Sequence, residues 1–266
     1  MSLLAITREV SPSITNCEVS FQARDPIDVA KAIAQHQAYE ECLAEASLEV
    51  VSLPAEPDLP DSVFVEDAAV VFDEIAVVPN MGAVSRRPEA QILAKTLKHY
   101  RRLTFLAEPA TLDGGDVLRA GRRIFVGLSQ RTNRAGFEQL RDWLTAYDYD
   151  VRPVEVKACL HLKSACSYLG NNTMLANRDW VEPGALSGFH LLDVPESEPA
   201  GANVLLINDL LIMPASFPRT RALLEERGYR VRAVDVSELQ KAEAGVTCCS
   251  LIFDHMEDHA PQPRSS

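Results

Sequence analysis

Two adjacent cysteines, Cys248 and Cys249, lie in a short apolar run near the end of the 266-residue chain. Neighbouring cysteines form a poor disulfide because the bridge would close a strained ring. They also lack the two-residue gap of zinc-binding or redox cysteine pairs. Two interpretations stay open: one thiol is a nucleophile beside a small core residue, or both thiols are inert and buried. If the run is a strand, the two side chains point to opposite faces, so only one of them can act on a ligand.

The composition and charge of the chain narrow the class of partner. Its net charge is −12, from 38 acidic and 26 basic residues, which argues against nucleic acid because phosphate binding needs clustered Lys and Arg. An acidic protein attracts a cationic small molecule instead. No apolar run approaches the roughly 18 residues of a membrane span, and the first residues do not resemble a signal peptide. With six scattered cysteines, these features predict a cytoplasmic protein without a membrane or nucleic-acid partner.

Hairpin–loop–helix units recur along the chain and predict its architecture. An amphipathic helix over residues 25–46 and a strand over residues 48–53 precede them. Hairpins open units near Ala68, Asp116, Ser167 and Ala202, and a strand carrying Cys248 opens a fifth. The strands are too apolar to be half exposed, so helices should cover them. Such units favour a closed radial array, although the repeat alone also fits a two-domain α/β protein.

Each unit is reached through a short segment before its first strand, here called the lead-in segment. In a radial array these segments converge on the axis, where they would bring together Glu66, Asp67, Asp113, His161 and Cys248. Taken singly, each residue has an ordinary structural explanation, such as a solvated strand end, a glycine turn or a core histidine. Their occurrence at matching places in four units favours one shared central site.

Seven segments of the chain, in order, resemble the dimethylarginine dimethylaminohydrolase family. They are 61–67 (DSVFVED), 85–87 (SRR), 112–118 (LDGGDVL), 127–133 (GLSQRTN), 161–164 (HLKS), 213–215 (MPA) and 245–250 (GVTCCS). The resemblance implies a five-bladed, pseudo-symmetric α/β propeller, the pentein fold. In it, residues 1–254 form a single catalytic domain and residues 255–266 a polar C-terminal tail. Family members often form homodimers.

The activity implied by the resemblance is hydrolysis of asymmetric dimethylarginine and monomethylarginine to citrulline and dimethylamine or methylamine. A guanidinium carbon is a poor electrophile, so the reaction needs a strong nucleophile, a proton donor and carboxylates that hold the cation. The resemblance assigns Cys248 as the nucleophile, which forms a covalent thiouronium adduct. It assigns His161 as the acid that protonates the leaving amine and then the base that activates water. The third catalytic residue is Asp113, and no metal or organic cofactor is needed.

The resemblance also implies how a guanidino amino acid is bound. Asp113, and Asp67 with Glu66, would accept charge-assisted hydrogen bonds from the guanidinium N–H groups. Asp61 matches a residue that holds the α-ammonium group. A pair of arginines, Arg86 and Arg131, matches residues that clamp the α-carboxylate.

One position departs from the family and leaves the substrate open. The lid after the first strand carries a hydrophobic residue that contacts the substrate in the family, and Glu18 takes its place here. Two alternatives therefore remain. The chain could be an arginine deiminase or dihydrolase, acting on arginine or another guanidino compound, or a non-catalytic arginine-binding relative.

Overall fold

The computed structural model describes residues 2–255, which form fifteen strands, six α-helices and five short 3-10 helices. The strands are β1 (Ser2–Arg8), β2 (Glu49–Leu53), β3 (Val70–Val71), β4 (Ile75–Val78), β5 (Arg102–Phe105), β6 (Val117–Ala120), β7 (Arg123–Leu128), β8 (Asp150–Glu155), β9 (Cys166–Tyr168), β10 (Thr173–Ala176), β11 (His190–Asp193), β12 (Leu205–Ile207), β13 (Leu210–Pro214), β14 (Arg230–Val234) and β15 (Leu251–His255). The α-helices are α1 (Val29–Glu45), α2 (Arg87–Leu97), α3 (Arg134–Thr145), α4 (Leu162–Ala165), α5 (Pro218–Glu226) and α6 (Ser237–Gln240). The 3-10 helices are Ile14–Asn16, Val84–Arg86, Gly114–Asp116, Pro183–Leu186 and Thr247–Cys249. Apart from His255, which ends β15, the predicted tail lies outside the described residues.

The strands form five three-stranded sheets, which are the blades of a propeller. Their strand orders are β3-β4-β5, β6-β7-β8, β9-β10-β11, β12-β13-β14 and β15-β1-β2. In every blade the first pair is antiparallel and the second is parallel. In four blades a short turn such as that at Asn208, with φ of 52°, connects the antiparallel pair, whereas a parallel pair needs a longer crossover. A helix supplies that crossover in four blades and the 3-10 helix Pro183–Leu186 in the remaining one, which confirms the predicted five-bladed α/β propeller.

The two ends of the described chain build one blade together. Strand β15 pairs antiparallel with β1, with Phe253 opposite Leu4, and β1 pairs parallel with β2. The predicted strand at Cys248 is wrong, because Cys248 lies in the 3-10 helix Thr247–Cys249 and the strand starts only at Leu251. The reason is that the Cys248 carbonyl accepts a hydrogen bond from the Glu66 N–H (3.1 Å) rather than from a neighbouring strand.

Helix α1 begins later than the sequence pattern predicts. It starts at Val29, not at residue 25, because the Asp28 carboxylate caps it by accepting from the Lys31 N–H at 3.0 Å. The Asp28 N–H itself donates to Glu238 at 2.9 Å, and Asp28 has extended backbone angles. At 17 residues α1 is the longest helix of residues 2–255, and no helix there has both the length and the apolar character that a bilayer span requires.

The hydrophobic core is divided among the contacts between blades. Each of five buried clusters combines side chains from two neighbouring sheets, as when Leu4 of β1 packs in one cluster with Ala76 of β4. A closed ring of five blades has five such contacts, so each blade packs against a neighbouring sheet on both of its faces. The ring therefore fixes where the lead-in segments point, which is toward the axis.

Candidate active site

The lead-in segments meet where the sequence analysis expects them to meet. Asp67 precedes β3, Asp113 precedes β6 and His161 precedes β9, and all three side chains are buried. The two ring nitrogens of His161 face one carboxylate each: Nε2 lies 3.2 Å from Asp113 Oδ2, and Nδ1 lies 3.6 Å from Asp67 Oδ1. The Gly114 N–H binds the Asp67 carbonyl at 2.9 Å and ties two of these segments together.

The charge state of His161 follows from these neighbours. Burial by itself would lower the pKa of the imidazole, but the Asp67 charge, the hydrogen bond with Asp113 and the nearby Asp116 raise it to about 9. His161 is therefore an imidazolium at neutral pH. The two carboxylates stabilise the imidazolium, which carries a proton that it can give to a more basic group such as a leaving amine.

Cys248 is half-buried and Cys249 is fully buried in the core. The Cys248 Sγ accepts a hydrogen bond from the Gly245 N–H at 3.3 Å. Burial, followed by the Glu66 and Asp67 charges, raises the pKa of the Cys248 thiol above its usual value. The free protein thus holds Cys248 as a thiol, and a cation that offset the two carboxylates would lower its pKa.

Glu66 supports the loop that carries Cys248. Its two carboxylate oxygens accept from Lys163 Nζ (2.6 Å) and from Thr247 Oγ1 (2.8 Å). Burial raises the pKa of Glu66, and the Lys163 charge opposes that rise. Since both oxygens already have protein partners, a guanidinium would have to share them, so the predicted guanidinium contact stays a prediction.

Asn203 is a residue of this cluster that the sequence analysis missed. Its amide donates to Thr247 Oγ1 (2.9 Å) and to the Lys163 carbonyl (2.9 Å), and it accepts from the Thr247 N–H (3.1 Å). It thereby links the segment after His161 to the segment that holds Cys248. A signal was present, because Asn203 lies just before β12, at the lead-in position of the one unit left without a candidate.

Arg86 has a heavily bonded guanidinium. It donates to Asp67 (2.8 Å), to Glu89 (2.8 Å) and to the carbonyls of Asp61 and Phe64 (3.3 Å each). Burial raises the pKa of Asp67, but the His161 and Arg86 charges outweigh that effect and lower it. In this arrangement Arg86 holds Asp67 in place, and its predicted contact with a substrate carboxylate stays a prediction.

The predicted lid lies over the same cluster. Both carboxylate oxygens of Asp61 accept from the Glu18 N–H, at 3.1 and 3.2 Å, and the Glu18 carboxylate accepts from Ser85 Oγ at 2.5 Å. Arg131 Nη2 donates to Ser20 Oγ at 3.2 Å, whereas its buried Nη1 has no hydrogen-bond partner within residues 2–255. A buried donor without a partner is costly, so Nη1 marks a place for an anion.

A second carboxylate, besides Asp61, also fastens the lid. Glu243 accepts from the backbone N–H groups of Ser20 (3.0 Å), Phe21 and Gln22 (2.8 Å). Glu243 lies five residues before Cys248 in the chain, so the lid is attached to the segment that carries the thiol. Among the described residues, no group of three His, Cys, Asp or Glu side chains is arranged to hold a metal ion.

Gly115 lies against the imidazolium, and we expect Gly115→Ala to disrupt the cluster. A Cβ at this position would lie 2.6 Å from both Asp67 Oδ1 and His161 Nδ1. Separating these groups should lower kcat/KM about 100-fold, the effect of a displacement of about 1 Å. Gly184→Ala is the matched control, because a Cβ there meets nothing within 4 Å and the variant should keep wild-type activity. Equal activities in the two variants would show that the Asp67–His161 contact is not used.

The fold and the residues at its axis define the pentein class of guanidino-modifying enzymes. The family model described as "N,N dimethylarginine dimethylhydrolase, eukaryotic" matches residues 10–181. The chain is 36% identical over 228 residues to the N(G),N(G)-dimethylarginine dimethylaminohydrolase of Pseudomonas aeruginosa, covering 85% of this chain and 90% of that protein. It is 37% identical over 256 residues to the protein of the same name from Streptomyces coelicolor, covering 96% and 98%. The chain belongs to the dimethylarginine dimethylaminohydrolase family, as its sequence motifs predict.

Solved structures agree with this assignment. A cysteine-to-serine mutant of the Pseudomonas aeruginosa enzyme, complexed with citrulline, superposes with a TM-score of 0.90 and 33% identity, over 95% of this chain and all of that one. The N-terminal domain of ArgZ, an arginine dihydrolase from Cyanobacteria, superposes with a TM-score of 0.86 but only 18% identity, over 96% of this chain and 98% of that one. The second likeness shows a shared fold alone.

Proposed function

We propose that this enzyme hydrolyses asymmetric dimethylarginine and monomethylarginine to citrulline and dimethylamine or methylamine. The observation that carries the proposal is the imidazolium of His161, held between Asp67 and Asp113 in the cluster that also raises the pKa of the Cys248 thiol. We take His161 as the acid and Cys248 as the nucleophile, beside a group of carboxylates that suits a planar cation. The names of the relatives with 36% and 37% identity point to methylated arginine as that cation.

Binding would place opposite charges against each end of the amino acid. The unpartnered Nη1 of Arg131 suits the α-carboxylate, with Arg86 as its predicted second contact. The Asp61 carboxylate, beside the lid, suits the α-ammonium group. The guanidinium then lies toward Asp67 and Asp113, where its charge offsets the carboxylates that disfavour a thiolate at Cys248. Substrate binding would therefore help to generate the nucleophile.

In the first half of the reaction the Cys248 thiolate attacks the guanidinium carbon and a C–S bond forms. His161 passes its proton to the substituted nitrogen, and the C–N bond breaks with release of the amine. The enzyme is left with a positively charged thiouronium on Cys248 and a neutral imidazole at His161. Asp113 and Asp67 stabilise the positive charge of the His161 imidazolium before the proton is transferred, since both carboxylates lie against the ring. We expect them also to stabilise the positive charge of the guanidinium and of the thiouronium.

In the second half a water molecule attacks the thiouronium carbon and gives a proton to the neutral His161. The tetrahedral adduct collapses as the C–S bond breaks, its hydroxyl proton passes to the leaving Cys248 sulfur, and citrulline leaves. His161 is again an imidazolium and Cys248 is again the thiol of the free protein. The proton that Cys248 loses to solvent when substrate binds is taken up by the released amine, so the cycle consumes one water.

The amine that is released identifies the preferred substrate, and a substitution of Glu18 tests whether the lid influences that preference. We expect wild-type kcat/KM to be higher for asymmetric dimethylarginine and monomethylarginine than for arginine, with alkylamine rather than ammonia released. Glu18→Leu should change KM more than kcat, because it removes the side-chain bond to Ser85 in the lid, whereas the backbone N–H that holds Asp61 remains. The measurement is relative kcat/KM for the three substrates, with citrulline and each amine quantified.

Glu226→Leu, on the exposed end of α5, is the control for a surface Glu-to-Leu change. Arginine as the best substrate, with ammonia as product, would replace this proposal with an arginine dihydrolase or deiminase. Tight binding of arginine without citrulline formation would replace it with a non-catalytic arginine-binding protein.

The sequence-based predictions of a single catalytic domain over residues 1–254, a homodimer and a cytoplasmic location belong to the same proposal. Family resemblance supports the first two. A reducing compartment is supported by the cysteines, because all six are free thiols in the structure.

A further inference from the structure

Asp116 is a fully buried carboxylate in the lead-in segment of β6, and no activity has been assigned to it above. Its Oδ1 accepts from the Leu162 N–H at 2.9 Å. Its Oδ2 accepts from Ser129 Oγ at 2.6 Å and from Thr132 Oγ1 at 2.7 Å. Within residues 2–255 none of its hydrogen-bond partners is a cation, which is unusual for a buried carboxylate.

Each partner of Asp116 adjoins a residue of the candidate site. Leu162 follows His161 directly. Thr132 Oγ1 accepts from the Asp113 N–H at 3.1 Å, so the second contact fixes the backbone of Asp113. Ser129 Oγ accepts from the Arg131 N–H at 3.0 Å, so the third fixes the backbone of Arg131.

We propose that Asp116 is a positioning residue, which sets the relative placement of His161, Asp113 and Arg131 through one shared carboxylate. The three residues come from segments separated by up to 48 positions, and one acceptor group ties them together. The roles of His161, Asp113 and Arg131 in catalysis and binding rest on the proposed function. Their placement by Asp116 rests on the hydrogen bonds alone.

The groups around Asp116 are all donors, so both of its carboxylate oxygens must act as hydrogen-bond acceptors. Ser129 Oγ already accepts from the N–H groups of Arg131 and Thr132, so its single proton must point to Asp116. Thr132 Oγ1 accepts from Asp113 and likewise donates to Asp116. In Asp116→Asn, an amide that kept its oxygen on the Leu162 N–H would therefore point its N–H₂ group at two hydroxyls whose protons point toward it. Donor would then face donor at both hydroxyls.

The charge on Asp116 also acts on His161. Burial raises the pKa of Asp116 to about 6, with the His161 charge opposing it. Because this pKa lies above the ordinary 3.8, ionised Asp116 lowers folding stability as pH rises from about 4 to 6. A carboxylate that costs the fold stability suits a role in the site. The charged and titratable groups that face these two residues are Asp67, Asp113 and Cys159.

The test compares Asp116→Asn with wild type in two independent measurements. We expect kcat/KM to fall about 100-fold, as for a displacement of about 1 Å at the reacting groups, with contributions from both kcat and KM. By NMR titration of labelled imidazole, assigned with His161→Gln, we expect the pKa of His161 to fall by about one unit from its value of about 9. A variant that merely loosened the fold would show native His161 behaviour in its folded fraction.

Two further variants complete the test. One separates the contact of Asp116 that leads to Arg131 from those that lead to His161 and Asp113, and the other controls for a surface Asp-to-Asn change. Ser129→Ala removes the bonds to the Arg131 and Thr132 N–H groups but leaves the Thr132 hydroxyl between Asp116 and Asp113, so KM should rise about tenfold while kcat stays within about threefold. Asp209→Asn, a surface Asp-to-Asn change at an ion pair with Arg230, should match wild type. Wild-type kinetics and an unshifted His161 pKa in folded Asp116→Asn would overturn the positioning role. The titration needs no substrate, so it stays informative if methylated arginine proves not to be hydrolysed.

Discussion

Replacing Cys248 with serine should abolish turnover, by at least about 10⁴-fold in kcat. A serine hydroxyl is far less acidic than a thiol and a weaker nucleophile, and a bound cation cannot ionise it sufficiently. Wild type, quenched with acid during turnover, should show a covalent adduct at Cys248 by mass spectrometry, whereas Cys248→Ser should show none. Binding of the substrate should persist in the variant, because the charged residues predicted to hold it are untouched.

Cys249→Ser is the matched control for the neighbouring thiol. Cys249 is fully buried in the core cluster that also contains Tyr39, so this change should cost about 1–3 kcal/mol of stability and keep most of the activity. Full activity in Cys248→Ser, or loss of the adduct in Cys249→Ser at a temperature where it is folded, would remove Cys248 as the nucleophile.

Replacing His161 with glutamine should lower kcat by about 10²–10⁴-fold, the contribution typical of a general acid and base. Glutamine can still bond to Asp113 but has no proton to give to a leaving amine. In wild type, kcat/KM should fall as pH rises through about 9, because the imidazolium is lost there, and that limb should be absent in the variant. The pH–rate profiles of both proteins check this expectation.

Stability offers a second measurement of the same charge. The folded-state pKa of His161, about 9, lies above the ordinary 6.5, so its ionisation contributes stability that is fully present below pH 6.5 and is lost as pH rises through about 9. The free energy of unfolding of wild type should decrease over that window relative to His161→Gln. His99→Gln, at an exposed position, should behave like wild type in both measurements. Parallel pH dependence of wild type and His161→Gln would contradict the raised pKa.

Several features of the site needed only the order of residue types along the chain. Turn residues and apolar strands mark each unit locally, so the lead-in segments could be aligned without knowledge of distances. That alignment placed Asp67, Asp113 and His161 together, and in the structure both aspartates lie within 3.6 Å of His161. The strand predicted at Cys248 was wrong because a bond from the Glu66 N–H, 182 positions earlier, decides the local backbone.

The sequence by itself determined the blade pattern, the family and the residue types that meet at the axis, because periodicity and motif order are properties of the chain. Only the tertiary structure decided which of these residues are charged and which hold others in place. A pKa depends on burial and on charges from remote segments, such as Asp67 beside His161, and spacing along the chain does not encode either. The same holds for Asp116 and Asn203, whose roles arise from hydrogen bonds to segments 13 to 46 positions away.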